Sequence, residues 1–104
     1  MYIRVGQFRF LNPNLMTYAM KQMLQENEEI YKKEKLIRVI VVKISDDKLA
    51  NLAIWEKKPS QAVLSKLEKS YRDHSSKFQF QSVLSAGDVE LHWSNDEGWI
   101  TSNV

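Results

Sequence analysis

The chain has 104 residues, of which 43% are hydrophobic and 27% charged; this is room for one folded domain and excludes a disordered chain. Fifteen basic residues stand against thirteen acidic ones, for a formal net charge of +2, which is not the basic stripe that holds a phosphate backbone, so nucleic acid is not an expected partner. There is no cysteine, which removes disulfides, thiolate metal sites and a cysteine nucleophile from consideration.

Residues 2 to 10, Tyr-Ile-Arg-Val-Gly-Gln-Phe-Arg-Phe, alternate in bulk and polarity like a strand. Asn12-Pro13 has the chemistry of a helix start, an amide that caps free N–H groups followed by a proline that loses no hydrogen bond. Leu15, Ala19, Met23, Asn27 and Ile30 then recur at three- and four-residue spacing, which predicts one amphipathic helix of about five turns to about Lys33. Lys32, Lys33, Lys35 and Arg38 are the densest basic cluster; they read as the solvated end of this helix, where cations favour the negative end of the dipole, with an anion site as the other reading.

Leu36 to Ile44 is apolar on both alternating faces and is expected to be a central strand buried on both sides. Ser45-Asp46-Asp47-Lys48 is turn chemistry, and Leu49 to Glu56 returns as the second arm of an antiparallel hairpin. Pro59-Ser60 opens a second helix with Val63, Leu64, Leu67, Tyr71 and His74 as its apolar stripe. Residues 75 to 87 read either as a strand, from the alternation at Phe78 to Val83, or as a short helix. Val89 to Trp93 is expected to be the last strand, and 95 to 104 a C-terminal tail that folds back or reaches a partner. No repeat or linker divides residues 1 to 104, so a single domain is expected. The N-terminus lacks a long apolar stretch, and the longest apolar run is too short to span a bilayer; a soluble cytoplasmic protein without membrane contact is the expectation.

The element order is β-α-β-β-α-β, an α+β ferredoxin-like plan with two helices on one face of a four-stranded antiparallel sheet. The other face of the sheet needs cover, and no spare segment is long enough to supply it. A second copy related by two-fold symmetry is the simplest cover, so a homodimer is expected.

With Leu52-Ala53-Ile54-Trp55-Glu56-Lys57-Lys58-Pro59-Ser60-Gln61-Ala62 ending the third strand in an aromatic and a carboxylate before a short polar turn and a helix, and with an acidic turn at Ser45-Asp46-Asp47, the chain resembles the dimeric α/β-barrel superfamily, and within it the antibiotic-biosynthesis monooxygenase-like domains. The resemblance covers residues 1 to 93 in element order and length. It implies a dimeric α/β barrel and, for some members, cofactor-free oxygenation of phenols or quinols; it implies no cofactor. The haem-degrading branch has an Asn on the first strand and a Trp and a His on the second helix. Here Gln7 holds the middle of the first strand and the second helix has His74 without a Trp, so that activity is not implied.

There are two histidines, His74 and His92, with no spacing of a metal site, and no phosphate loop or nucleophile elbow is present. His74 continues the face of Leu67 and Tyr71. It is the candidate general base toward a phenol if that face looks into a cleft, and otherwise a helix-end histidine that stabilises the dipole. Trp55 is a candidate wall for an aromatic ligand, or else core or interface packing. Tyr71 and Tyr18 are candidate phenolic donors to the same cleft, or packing residues. Arg38 interrupts the apolar strand and would need Glu90, Glu56 or an anionic ligand as partner if buried. Three functions compete: a cofactor-independent monooxygenase acting on a small aromatic substrate, a non-catalytic small-ligand-binding module, and an interaction protein that uses the aromatic tail around Trp93 and Trp99. A pocket bordered by Trp55, Tyr71 and His74 would favour the first two.

Overall fold

A computed structural model describes residues 1–101. The chain runs through β1 (Tyr2–Phe10), a 3-10 turn (Pro13–Leu15), α1 (Met16–Glu26), α2 (Glu28–Lys33), β2 (Leu36–Ser45), β3 (Lys48–Trp55), α3 (Gln61–Phe78), β4 (Phe80–Asp88), β5 (Leu91–Ser94) and β6 (Gly98–Thr101). β1 to β4 form one antiparallel sheet in the order β2-β3-β1-β4. The smallest extent, 19 Å, is about one sheet and one layer of helices. This is the expected ferredoxin-like α+β architecture.

Capping chemistry places both helix starts. Asn12 Oδ1 accepts from the backbone N–H of Asn14 at 3.1 Å, and Ser60 Oγ accepts from Val63 N–H at 3.3 Å, which makes Ser60 the N-cap of α3. The expected five-turn helix is two helices. Asn27 interrupts it, because its side-chain amide donates to Met23 O at 2.9 Å and to Ser70 Oγ at 3.0 Å. A side chain that binds the backbone locally offers the chain an alternative to the helical ladder.

Two expectations about strands are corrected. Leu36–Ser45 is an edge strand, paired only with β3, and most of it is exposed. The crossover through α1 and α2 leaves room for one strand between β1 and β2, and the hairpin partner β3 fills it. An apolar run on both faces signals that both faces want cover; it does not say that the same chain supplies it. The fourth strand is Phe80–Asp88, alongside β1, and not Val89 to Trp93. α3 continues to Phe78 and stops at Gln79, which adopts a left-handed φ of 53°. Residues 91 to 94 pair instead with 98 to 101 as a separate hairpin, so the tail does fold back; its last three residues lie outside the described ones.

Strand register sorts the side chains. Tyr2, Phe8 and Phe10 of β1, Leu49, Ala53 and Trp55 of β3, and Phe80 of β4 point toward the helices and are buried. They meet Met16, Ala19, Met20 and Met23 of α1 and Leu64, Leu67, Tyr71 and Phe78 of α3. The opposite face carries Ile3, Val5, Ile40, Val42, Ala50, Leu52, Ile54 and Val83, away from the helices.

Candidate functional site

The helix-facing row of β3 is Leu49, Asn51, Ala53 and Trp55, and Asn51 is the one amide in it. It is 3% exposed. Its Nδ2 donates to the hydroxyl of Tyr71 at 3.3 Å, while its Oδ1 is buried without a partner. Burying an amide oxygen unpaired costs free energy, on the order of 1–3 kcal/mol. The Tyr71 hydroxyl accepts the amide bond, which leaves its own hydrogen for another acceptor.

Around this pair the fold gathers further polar groups. The Arg4 guanidinium lies 5.7 Å from the centre of the Tyr71 ring. Arg4 comes from β1, beside Ala53 of β3, and faces the helices. Tyr31 of α2 packs edge-on against Trp55, ring centres 5.9 Å apart. Burial pushes the phenols of Tyr31 and Tyr71 well above the ordinary tyrosine range; the charge of Arg4 and the hydrogen bonds from Asn27 and Asn51 pull the other way and lose. Both phenols are therefore neutral and able to donate. Trp55 is fully buried, and its Nε1 also lacks a partner. Two unpaired polar atoms thus lie on the same face of one strand, beside two tyrosines and an arginine.

Tyr71 also has a place at the surface. It lines an open cleft of about 430 Å³ between α3 and β4, together with Glu68, Arg72, Ser75, Ser76, Ser82 and Leu84. That is the size range of small-molecule sites. On its other side Tyr71 packs against Phe8, ring centres 5.6 Å apart. The Phe8 ring lies over Gly6, where an added Cβ would come within 2.6 Å of Cζ.

The five residues singled out from the sequence do not share a site. Tyr71 belongs to the polar centre, whereas Trp55 lies four residues along β3 from Asn51, in the other core cluster. His74 sits outside it, between α3 and α1: Nδ1 lies 2.8 Å from Ser70 O, and Nε2 lies 3.0 Å from Glu26 Oε2. Both ring nitrogens are engaged, and the open groove His74 lines contains Gln22, Gln25, Glu26, Asp73 and Lys77, with neither Trp55 nor Tyr71. The expected pocket bordered by Trp55, Tyr71 and His74 is therefore not formed. The helix turns His74 toward α1, three residues on from the sheet-facing Tyr71, and Trp55 is packed solid. Tyr18 is exposed, edge-on to Phe78. Arg38 points away from the helices and is exposed, so the burial that would have demanded Glu90 or Glu56 as partner does not arise. Among the described residues no ion pair reaches Arg38, and no cluster of His, Asp or Glu has the makings of a metal site. Among them also no helix is long and apolar enough to cross a membrane.

Asn51 and Arg4 were missed in the sequence because one amide in Leu49 to Trp55 looks like ordinary alternation. The signal was available: Asn51 shares strand parity with Leu49, Ala53 and Trp55, the row that must face the core if Trp55 does.

No protein-family model and no curated protein sequence matches the chain. Solved structures do. A dimeric ferredoxin-like protein from an uncultured marine organism superimposes with a TM-score of 0.64 at 16% identity, over 91% of this chain and 100% of that one. A mutant form of SnoaB, a cofactor-independent oxygenase from Streptomyces nogalater, gives 0.59 at 9% identity, over 85% and 91%. A Deinococcus radiodurans protein, a candidate antibiotic biosynthesis monooxygenase, gives 0.58 at 10% identity, over 86% and 92%. The chain therefore shares the ferredoxin-like fold of these solved structures.

Proposed function

We propose that the chain is a cofactor-independent monooxygenase-like protein that binds a small phenol or quinol at the Asn51–Tyr71 pair. One observation carries this reading: the unpartnered, buried Oδ1 of Asn51 lies beside a Tyr71 hydroxyl whose hydrogen is uncommitted. An acceptor and a donor so placed match a phenolic oxygen, which offers one hydrogen and accepts another. Arg4 favours the anion that forms as the phenol loses its proton. Oxygenation of a phenol at a ring carbon puts one atom of dioxygen into a quinone and releases the other as water. The substrate supplies the electrons, so no outside reductant is needed. The likeness in fold to SnoaB supports this class of chemistry. The position of His74 does not favour it as the base, and the phenolic proton ends in the water that the reaction releases.

The test is oxygen uptake by metal-free protein with a panel of hydroquinones and polyphenols. Wild type should exceed the uncatalysed rate, and Asn51→Leu and Tyr71→Phe should each lose roughly a hundredfold, with His74→Ala close to wild type. Binding without uptake by wild type would make the chain a non-catalytic ligand-binding module. Equal rates in wild type and Asn51→Leu would remove the polar pair from the chemistry.

We also infer a homodimer that buries the open face of the sheet. That face has an apolar centre, from Ile40 and Val42 through Leu52 and Ile54 to Ile3, Val5 and Val83, with Arg38, Gln7, Arg9, Lys48 and Gln81 beside it. Surfaces of this kind on a small chain mark association.

A further inference from the structure

Asn51 Oδ1 is buried, so a ligand that reaches it must displace a side chain. Strand register shows which one. Leu84 of β4, Gly6 of β1 and Asn51 of β3 lie side by side in one row that faces the helices. Leu84 is 42% exposed and lines the α3–β4 cleft with Tyr71. Asn51 lies two strand spacings away, roughly 10 Å. The residue between them has no side chain, so the row forms a trough that runs from the cleft toward the amide.

One ring fills the trough. A Cβ placed on Gly6 would stand 2.6 Å from Phe8 Cζ and 2.8 Å from Phe8 Cε2, with Leu84 Cδ2 at 3.1 Å. Phe8 is fully buried, but its two neighbours across the sheet differ. On the β3 side stands the buried Leu49. On the β4 side stands Ser82, which is exposed and lines the cleft. The ring is thus walled in on one side and flanked by a small hydroxymethyl group on the other.

We propose that the space over Gly6 is the subsite for the ring of the phenol, and that Phe8 is the gate that closes it. The gate rests on the phenol reading given above and adds the residue that controls entry. A phenol whose oxygen meets Asn51 and Tyr71 must lay its ring beside Asn51. The two neighbours of Asn51 in its row are Val41 and Gly6, and only Gly6 has no side chain. Phe8 already puts a six-membered ring there, packed against Tyr71 and Phe80 at 5.6 and 5.4 Å between centres. An aromatic ligand takes over those contacts as Phe8 leaves, so it replaces like with like. Phe8 swings out over Ser82 toward the cleft. Without a ligand the swing forfeits both aromatic contacts, so the closed state dominates, and the ligand shifts the population to the open one.

Fluorine NMR of the full chain with 4-fluorophenol as the probe tests the gate. Wild type should bind it, and Asn51→Leu should not. A dominant closed state divides the apparent affinity by the open fraction, so Phe8→Leu, which empties part of the trough, should bind about tenfold tighter or more. Adding Gly6→Ala should remove that gain, because the methyl group refills the space. Ser82→Leu, at an exposed position that does not threaten folding, obstructs the swing and should weaken binding by about as much. Circular dichroism checks that Phe8→Leu keeps its fold; if it does not, Ser82→Leu decides alone. Binding that is lost in Asn51→Leu but unchanged in Phe8→Leu and Ser82→Leu overturns the gate and leaves the phenol site standing. A gain in Phe8→Leu that survives Gly6→Ala puts the ligand elsewhere and overturns the gate. No binding by wild type or by Phe8→Leu overturns both.

Discussion

Asn51 uses only part of its hydrogen-bonding capacity in a dry position, and a side chain there for packing alone would be an apolar residue of similar volume. Removing both members of a buried polar pair costs far less than orphaning one. Asn51→Leu combined with Tyr71→Phe should therefore match wild type in urea unfolding to within about 1 kcal/mol, or exceed it, while ligand binding is lost. A loss well beyond that would make the pair structural. The tyrosines give a second handle. Burial raises the folded-state pKa of Tyr31 and Tyr71, so the folded chain keeps protons that the unfolded chain releases. Neither phenol affects stability below the unfolded value near pH 10. Above it stability falls, by about 1.4 kcal/mol per pH unit for each such tyrosine, until its folded-state pKa is passed. Urea melts from pH 10 upward should show a shallower loss for Tyr31→Phe than for wild type; parallel losses would contradict the assignment.

The elements place these residues by backbone constraints that single positions control. Gly6 lies between Asn51 and Leu84 in register, and the Phe8 ring occupies the space above it. That ring is held by Tyr71 on one side and Phe80 on the other, 5.6 and 5.4 Å between centres. A methyl group at Gly6 must displace it, and overpacking of this kind costs about 1–3 kcal/mol. Gly6→Ala should lower the melting temperature accordingly and disturb Tyr71 fluorescence or ring resonances. A neutral Gly6→Ala would mean that Phe8 swings aside freely. Asn27 works differently: by bonding Met23 and Ser70 it divides α1 from α2 and aims Tyr31 at Trp55.

For the whole molecule, the decisive feature is a sheet with helices on one side only. Leu52 lies on inner strand β3, faces away from the helices, and pairs with Val5 and Ile40 across its neighbours. If a second copy covers this face, the melting temperature of wild type rises with protein concentration, because the partner binds only the folded state. Leu52→Lys should abolish that dependence, since a lysine at the centre of an apolar interface has no partner. Differential scanning calorimetry over a hundredfold range of concentration decides it. A wild-type melting temperature that does not move with concentration would argue against the dimer.

Periodicity, capping residues and turn chemistry in the sequence determined the order of elements, the helix starts at Asn12 and Ser60, and the need to cover the second face of the sheet, because each of these is written in local spacing. Three things were decided only by the tertiary structure. The crossover geometry put the apolar Leu36–Ser45 strand on the edge, since strand order depends on which neighbour fills a gap and not on how hydrophobic a strand is. The left-handed stop at Gln79 set the fourth strand at Phe80–Asp88 and freed Leu91 to Thr101 to form an aromatic hairpin. The candidate site moved from His74 to Asn51, Tyr71 and Arg4, because a helix face divides between sheet and neighbouring helix over three residues. Only packing shows which buried polar atoms are left without partners.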